Sequence, residues 1–487
     1  MNDTASTTIG RLSFYGGLPM VAIAPVIFVI GAVLNLQFLE VFDISALVAA
    51  GLVGLLVASL FARSYGSYWA SALSGITSPS SVNLLLILLV VSLISALLKE
   101  TQLSSGFVWL ASQVGFGGHV FVTITFLVVC VVAAATGSSL GTMFTAFPVF
   151  FPAGLELGAH PALLAGAILS GCLFGDNVAP ISDSTIVSAT TQQFRNRAGT
   201  AEVGQIVRTR LKYSLVAAGL AAAGYLIASP LLSDVSKTTA LSTPTGDAST
   251  LFMLVPVGLL LWVAIWKRDI FLAVTVGIVS GVVVGLISGH LTLAGIISAG
   301  EENSASGFLA DGINGMLPLI GLSIIIFAMV GTFQAAGLFD WIIHSLERFG
   351  VSASPVKAEL FIFGGSIATT GIFASINGPA MLMFGPVADR IGAAANIHPY
   401  RRSNVMDCGA LGLGSAMPVV STFLLIASQL TGLEGGGVSA LEVFAVCFYP
   451  LALTATMLFA VISGWGRAFE GPNGELLRGR SEHTGSA

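Results

Sequence analysis

The sequence predicts an all-α polytopic membrane protein: two inverted-topology repeats, with broken or re-entrant helices meeting at the bilayer midplane. Three observations predict it: scarce charge, an internal repeat of Pro, Gly and His at one spacing, and opposite charge bias in equivalent loops. Of 487 residues, 55% are hydrophobic and 9% charged, with a mean hydropathy of +0.92. About a quarter of a soluble domain is charged, so the 19 Lys and Arg with 24 Asp and Glu fall well below that complement. Nucleic-acid binding proteins, secreted disulfide scaffolds and soluble cytosolic enzymes are excluded. The net charge of −5 says little about orientation, which follows the placement of Lys and Arg. Cys130, Cys172, Cys408 and Cys447 lie far apart in apolar stretches without C-x-x-C spacing, and read as small core side chains.

Only helices or closed barrels satisfy their backbone in lipid, and runs such as 82–98 and 120–135 approach the roughly 18–20 residues of a spanning helix. The tail 1–17 is polar or small with Arg11 alone basic, and the apolar run from Leu18 is a full span, so no cleaved signal peptide is expected. The first transmembrane repeat, 18–233, holds apolar segments near 18–39, 45–62, 82–98, 119–136, 140–155, 161–190 and 212–233. A polar linker, 234–248, carries Pro244 and Gly246. The second repeat, 249–464, holds segments near 249–266, 270–289, 314–336, 357–377, 379–394, 400–428 and 440–464, giving about fourteen crossings or part-crossings. The tails 1–17 and 465–487 are short, and no soluble domain is expected in them. Trp69, Trp109, Trp266, Trp341 and Trp465 stand near segment ends, as interfacial aromatics do.

Pro148, His160, Pro161, Gly171 and Pro180 fall on Pro386, His398, Pro399, Gly409 and Pro418, each 238 residues later. Val149, Gly154 and Leu173 match Val387, Gly392 and Leu411 at the same offset. Most of these residues shape backbone or are rare, which makes chance a poor explanation. Arg195, Arg197, Arg208, Arg210 and Lys212 follow the first broken segment, whereas the equivalent stretch 431–442 has only Glu434 and Glu442 as charges. Glu40 and Asp43 stand opposite Lys267 and Arg268. Glu156 stands opposite Arg390, Arg401 and Arg402. Equivalent loops are therefore expected on opposite membrane faces, an architecture of secondary transporters whose sites lie at the repeat interface.

Between Glu100 and Phe194 there is no Lys or Arg, yet Glu156, Asp176 and Asp183 occur there. A charge at mid-bilayer costs about 2.5–3.5 kcal/mol on the lenient scale, so these carboxylates call for protonation or a bound cation. Gly175, Asp176, Asn177 and Pro180, then Ser182, Asp183, Ser184 and Thr185, interrupt an apolar helix. Such a break exposes carbonyl and side-chain oxygens, hard ligands suited to Na⁺ or Li⁺. The simpler alternative is that Ser182 or Asp183 caps the second half-helix. In the second break Gly414, Ser415 and Ser421 replace Asp176, Asn177 and Asp183, and Thr422 follows. Asp407 is the other carboxylate within an apolar helix; it either transfers protons or pairs with Arg401 or Arg402. Earlier polar interruptions, Ser138, Ser139, Gly141 and Thr142 in one half and Ser375 and Asn377 in the other, could complete an ion shell or merely serve helix packing. His160 and His398 are expected to share a capping or interfacial role rather than to transfer protons. Gly137 to Gly141 fits G-x-S-x-G but lacks the strand-to-helix context of a nucleophile elbow.

The segment GDNVAPISDSTIVSAT, with GSSLGT upstream and GLGSAMPVVSTF in the second half, resembles the NhaC-type Na⁺/H⁺ antiporters of the wider ion-transporter superfamily. Ala179 departs from the Ser that such proteins commonly carry before the proline, removing one hydroxyl ligand. The resemblance implies Na⁺/H⁺ exchange, with Li⁺ as an alternative ion, across the cytoplasmic membrane, both termini being cytoplasmic. Na⁺ would bind at Asp176 and Asp183 with Asn177, Ser182, Thr185, Ser138, Ser139 and Thr142. Asn377, Asp407, Ser415, Ser421 and Thr422 would form the second-repeat site. The expected partners are Na⁺, H⁺ and the lipid bilayer, without cofactor or nucleic acid; a homodimer is compatible with this reading. A Na⁺- or H⁺-coupled carrier of an amino acid or small carboxylate is the alternative. An intramembrane enzyme resting on Ser139 is a distant third.

Overall fold

The computed structural model describes residues 12–37, 44–103, 117–180, 182–232, 247–267, 269–300, 304–338, 354–418, 420–433 and 437–477, with 105, 106, 109 and 113. Most of the expected linker, including Pro244 and Gly246, and the charges at Glu40, Asp43, Arg268 and Glu434 lie outside the described residues, as does Trp341. Helices run α1 Ile23–Gln37, α2 Ile44–Leu60, α3 Tyr65–Ile76, α4 Pro79–Glu100, α5 Gly118–Thr136, α6 Ser139–Glu156, α7 Pro161–Val178, α8 Asp183–Thr190 and α9 Val203–Leu232. They continue as α10 Leu254–Lys267, α11 Ile270–Ser288, α12 Phe308–Ala336, α13 Pro355–Ile372, α14 Asn377–Ala394, α15 Pro399–Gly409, α16 Thr422–Leu433, α17 Ala440–Ala445 and α18 Phe448–Ser463.

Among the described residues, five helical runs are long and apolar enough to cross a membrane, Val203–Leu232 and Phe308–Ala336 among them. Val131, Ile227, Leu231 and Ile287 are all more than 60% exposed. Apolar surface on that scale is a liability in water and the normal face toward lipid. The molecule is a multi-pass membrane protein. Its four cysteines are free and buried, as the sequence suggests.

The chain divides into two compact units that cut across the expected sequence halves: residues 1–89 with 314–349, and residues 90–313 with 350–487. The first unit is organised around the α1–α2 hairpin and α3. There the main chain of Gly75 approaches that of Gly331 so closely that a Cβ on either would clash.

The second unit contains the broken helices, and the same order of elements occurs in it twice. α6 and α14 begin at Ser139 and Asn377, and α7 and α15 at Pro161 and Pro399, again 238 positions apart. Proline at the first helical position and a preceding His recur at both of the latter starts. The capping expectation holds for one of them. His398 Nδ1 accepts from the Tyr400 N–H at 3.2 Å, whereas His160 makes no side-chain cap bond. At Gly175 a Cβ would lie 2.1 Å from that of Ala133, so glycine there lets α7 rest directly on α5.

Charges the sequence places in loops are partly structural ion pairs. Arg210 lies inside α9 and is fully buried; Arg401 and Arg402 are buried in α15. Arg401 Nε meets Glu359 at 2.8 Å, with Arg467 on the same carboxylate at 3.0 Å, and Arg402 meets Asp389 at 3.1 Å. The expected pairing of Asp407 with Arg401 or Arg402 is therefore corrected. Both arginines find other carboxylates, and Asp407 pairs with Arg210 at 2.8 Å.

Candidate cation site

The first break follows from local chemistry. α7 ends at Val178 because Pro180 disfavours helical backbone in Ala179, which is extended at φ −75°, ψ 127°. α8 restarts at Asp183 after Ser182, also extended. Ser182 occupies the capping position but makes no side-chain cap bond. Its hydroxyl donates to Asp176 Oδ1 in a very short contact, so capping does not explain it.

Asp176, 8% exposed, is the centre of the site. Ser139 Oγ donates to its Oδ2 at 2.9 Å, and Ser184 Oγ lies 3.4 Å from Oδ1 while bonding Ser182 Oγ at 2.8 Å. Ser139 is delivered by the start of α6, just after Gly137 terminates α5 in the left-handed conformation (φ 69°). Three hydroxyls from two chain interruptions thus surround one carboxylate. Among the described residues Asp176 has no ion-pair partner.

Other expected ligands are placed elsewhere. Asp183 is exposed at the start of α8, and Glu156 is exposed at the end of α6. Ser138 is exposed and caps α6 by accepting from the Gly141 N–H at 3.1 Å. Thr142 bonds Thr136 at 2.8 Å, and Thr185 accepts from Arg210 at 3.1 Å. Asn177 points away from Asp176. Its Nδ2 donates to Asp407 Oδ1 at 2.8 Å, and its Oδ1 accepts from Tyr449 at 3.1 Å and, closely, from Ser214. The structure therefore gathers Asp176, Ser139 and Ser182, and joins Asn177 to Asp407 in an adjacent network.

The second break forms a separate neutral cluster. α15 passes into a π-turn, Ala410–Gly414, in which Gly412 leaves helical geometry (φ −78°, ψ −123°). Ala374 and Ser375 adopt left-handed backbone (φ 53° and 65°), uncommon for non-glycine residues. They are held by Ser375 Oγ donating to the Gly414 carbonyl at 2.8 Å and Thr422 Oγ1 to the Ala374 carbonyl at 2.7 Å. Ser415 lies 3.1 Å from Asn377 Oδ1, and Ser421 donates to the Ser415 carbonyl. Asn377 Nδ2 and Thr370 Oγ1 are buried without partners.

Sequence reading left Ser184 out of the ligand set and missed Ser214, Tyr449 and above all Arg210. The signal for Arg210 was its register. Ile206, Arg210, Tyr213, Ser214, Ala217, Ala221 and Tyr225 form one buried helical stripe, with Arg208 and Lys212 off it.

Residues 4–229 match the family described as the Na⁺/H⁺ antiporter family. The match covers somewhat less than half of the chain, so this part is similar to that family. The matched segment contains Asp176, Ser139, Ser182 and Arg210. Three relatives are similar to the chain. The malate-2H⁺/Na⁺-lactate antiporter of Bacillus subtilis is 25% identical over 50% of this chain and 54% of its own. An uncharacterized Na⁺/H⁺ antiporter of Haemophilus influenzae is 22% identical over 71% and 74%. The Na⁺/H⁺ antiporter NhaC of Alkalihalophilus pseudofirmus is 26% identical over 47% and 51%. The chain thus spans about half the length of two of these curated relatives. The G-x-S-x-G motif lies at the interruption between α5 and α6, not at a strand-to-helix turn, and Ser139 shares the Asp176 carboxylate with Ser182 and Ser184.

Proposed function

We propose that the protein is a secondary transporter exchanging Na⁺ for H⁺ across the cytoplasmic membrane, with Asp176 as the carboxylate both ions share. The observation that carries this reading is a buried carboxylate at a helix break, surrounded by hydroxyl oxygens and without a cationic partner among the described residues. Protonation or a bound Na⁺ each neutralises Asp176, and either removes the cost of a charge at membrane depth. Hydroxyl rotors suit both states. Ser139 and Ser182 donate to the bare carboxylate, and turned the other way they offer oxygen lone pairs to Na⁺. Because one pair of carboxylate oxygens serves both ions, loading with one displaces the other. Two inverted repeats moving against each other would expose the site to alternate sides.

Asp183, exposed at the mouth of the break, would draw cations toward Asp176 rather than chelate them with it. The neutral second break would contribute the opposing wall, with Asn377, Ser415, Ser421 and Thr422. The lactate-exchanging relative and the unpartnered Asn377 amide favour a second reading, a Na⁺- or H⁺-coupled organic-acid carrier.

The test is recovery of a quenched ΔpH-sensitive dye in everted vesicles. Na⁺ restores fluorescence without an organic solute, and choline does not. Recovery that requires malate or lactate would transfer the assignment to the second reading.

A further inference from the structure

We propose that Arg210 is the positioning residue of the cation site: its guanidinium fixes the two half-helices of the first break and thereby sets Ser182 and Ser184 about Asp176. This rests on the Na⁺/H⁺ reading of that site. Arg210 is fully buried, and its contacts fall on both sides of the break. Before the break, Nη1 donates to the Asn177 carbonyl at 2.8 Å. After it, Nη1 reaches Thr185 Oγ1 at 3.1 Å and Nη2 reaches Ser188 Oγ at 3.3 Å. On the other broken helix, Nη1 meets Asp407 Oδ1 at 2.8 Å and Nε meets Asn404 Oδ1 at 3.2 Å.

The Asn177 carbonyl belongs to the last turn of α7, whose carbonyls lack partners within the helix. A cation there also complements the dipole of the helix end. Between the two anchored points, Asn177 and Thr185, lie both Ser182 and Ser184. Beyond the Nη1 contacts, the planar fork adds Nη2 to Ser188 in α8 and Nε to Asn404 in α15, fixing the group in one orientation, which a lysine ammonium, a point charge on a flexible stem, does not. Asp407 balances the charge, so the pair contributes no net charge beside Asp176.

Arg210→Lys keeps that balance and removes the fork; Arg210→Gln with Asp407→Asn removes the charges together and avoids a lone buried carboxylate. Two measurements are made on purified full-length protein. The first is the KM for Na⁺ in proteoliposomes, read by dye recovery with NaCl as the probe. The second is amide hydrogen exchange of peptides covering 179–190, which needs no transport. In both variants KM rises about tenfold, the equivalent of one charge-assisted hydrogen bond, with kcat changing less. Exchange of the α8 amides accelerates in parallel. An unchanged KM or unchanged α8 exchange in Arg210→Lys overturns the proposal, whether or not the double variant folds. If wild-type protein shows no Na⁺-driven proton movement, the exchange reading fails, and the amide measurement still decides the role of Arg210.

Discussion

Replacing Ser139 with Ala separates Na⁺ from H⁺ at the shared carboxylate. Ser139 is buried, and its Oγ lies 2.9 Å from Asp176 Oδ2, whereas Ser182 and Ser184 both address Oδ1. The substitution therefore strips one carboxylate oxygen of its hydroxyl partner. A hydrogen bond to a charged group contributes about 1.5–3 kcal/mol, and one between neutral groups about 0.5–1.5 kcal/mol. The Na⁺ form, in which the Ser139 oxygen faces a full charge, loses the larger amount, and the protonated form, in which it faces a neutral carboxyl, the smaller. The difference, about 1–1.5 kcal/mol, corresponds to roughly a tenfold shift toward H⁺ in the competition. At fixed pH, the KM for Na⁺ in the dye assay rises about tenfold, and raising the pH recovers part of it. A Ser139→Ala protein with the wild-type KM at every pH would show that the hydroxyl is no part of the cation shell.

Gly175→Ala drives a methyl to 2.1 Å from the Ala133 Cβ and lowers thermal stability by about 1–3 kcal/mol in a detergent melting experiment. Glu359→Gln leaves Arg401 and Arg467 without their shared carboxylate. Breaking such a buried pair costs about 3–5 kcal/mol, so it lowers the melting temperature more than Arg467→Ala does. His398 lies outside the membrane segments, and burial pushes its pKa down from 6.5 to about 4. The unfolded chain therefore binds a proton in that window that the folded chain refuses, and stability falls as pH drops from about 6.5 to 4. His398→Gln flattens that part of the melting-temperature profile.

The helical membrane class and both helix breaks were legible because composition, Pro and Gly act locally. Asp176 stood out as well, since no base lies within the surrounding sequence, and the structure buries its carboxylate at the break. What sequence concealed was which carboxylate a distant base answers. Arg210 stands 197 positions from Asp407, so the buried pair is created by packing α9 on α15 and has no local signature beyond the stripe through Tyr213 and Ala217. The same blindness made Asp183 look equivalent to Asp176. Both carboxylates lie near the break, but one sits in the last turn of a buried helix and the other is the exposed first residue of α8. Loop-charge counting suffered likewise, because Arg401 and Arg402 are core partners of Glu359 and Asp389.

In the proposed cycle one carboxylate, Asp176, exchanges a proton for Na⁺. Adding NaCl to purified protein in weakly buffered detergent solution, with a pH electrode as detector, tests it directly. Wild-type protein releases protons in proportion to the Na⁺ bound, and Asp176→Asn releases none. Undiminished proton release from folded Asp176→Asn would contradict the account.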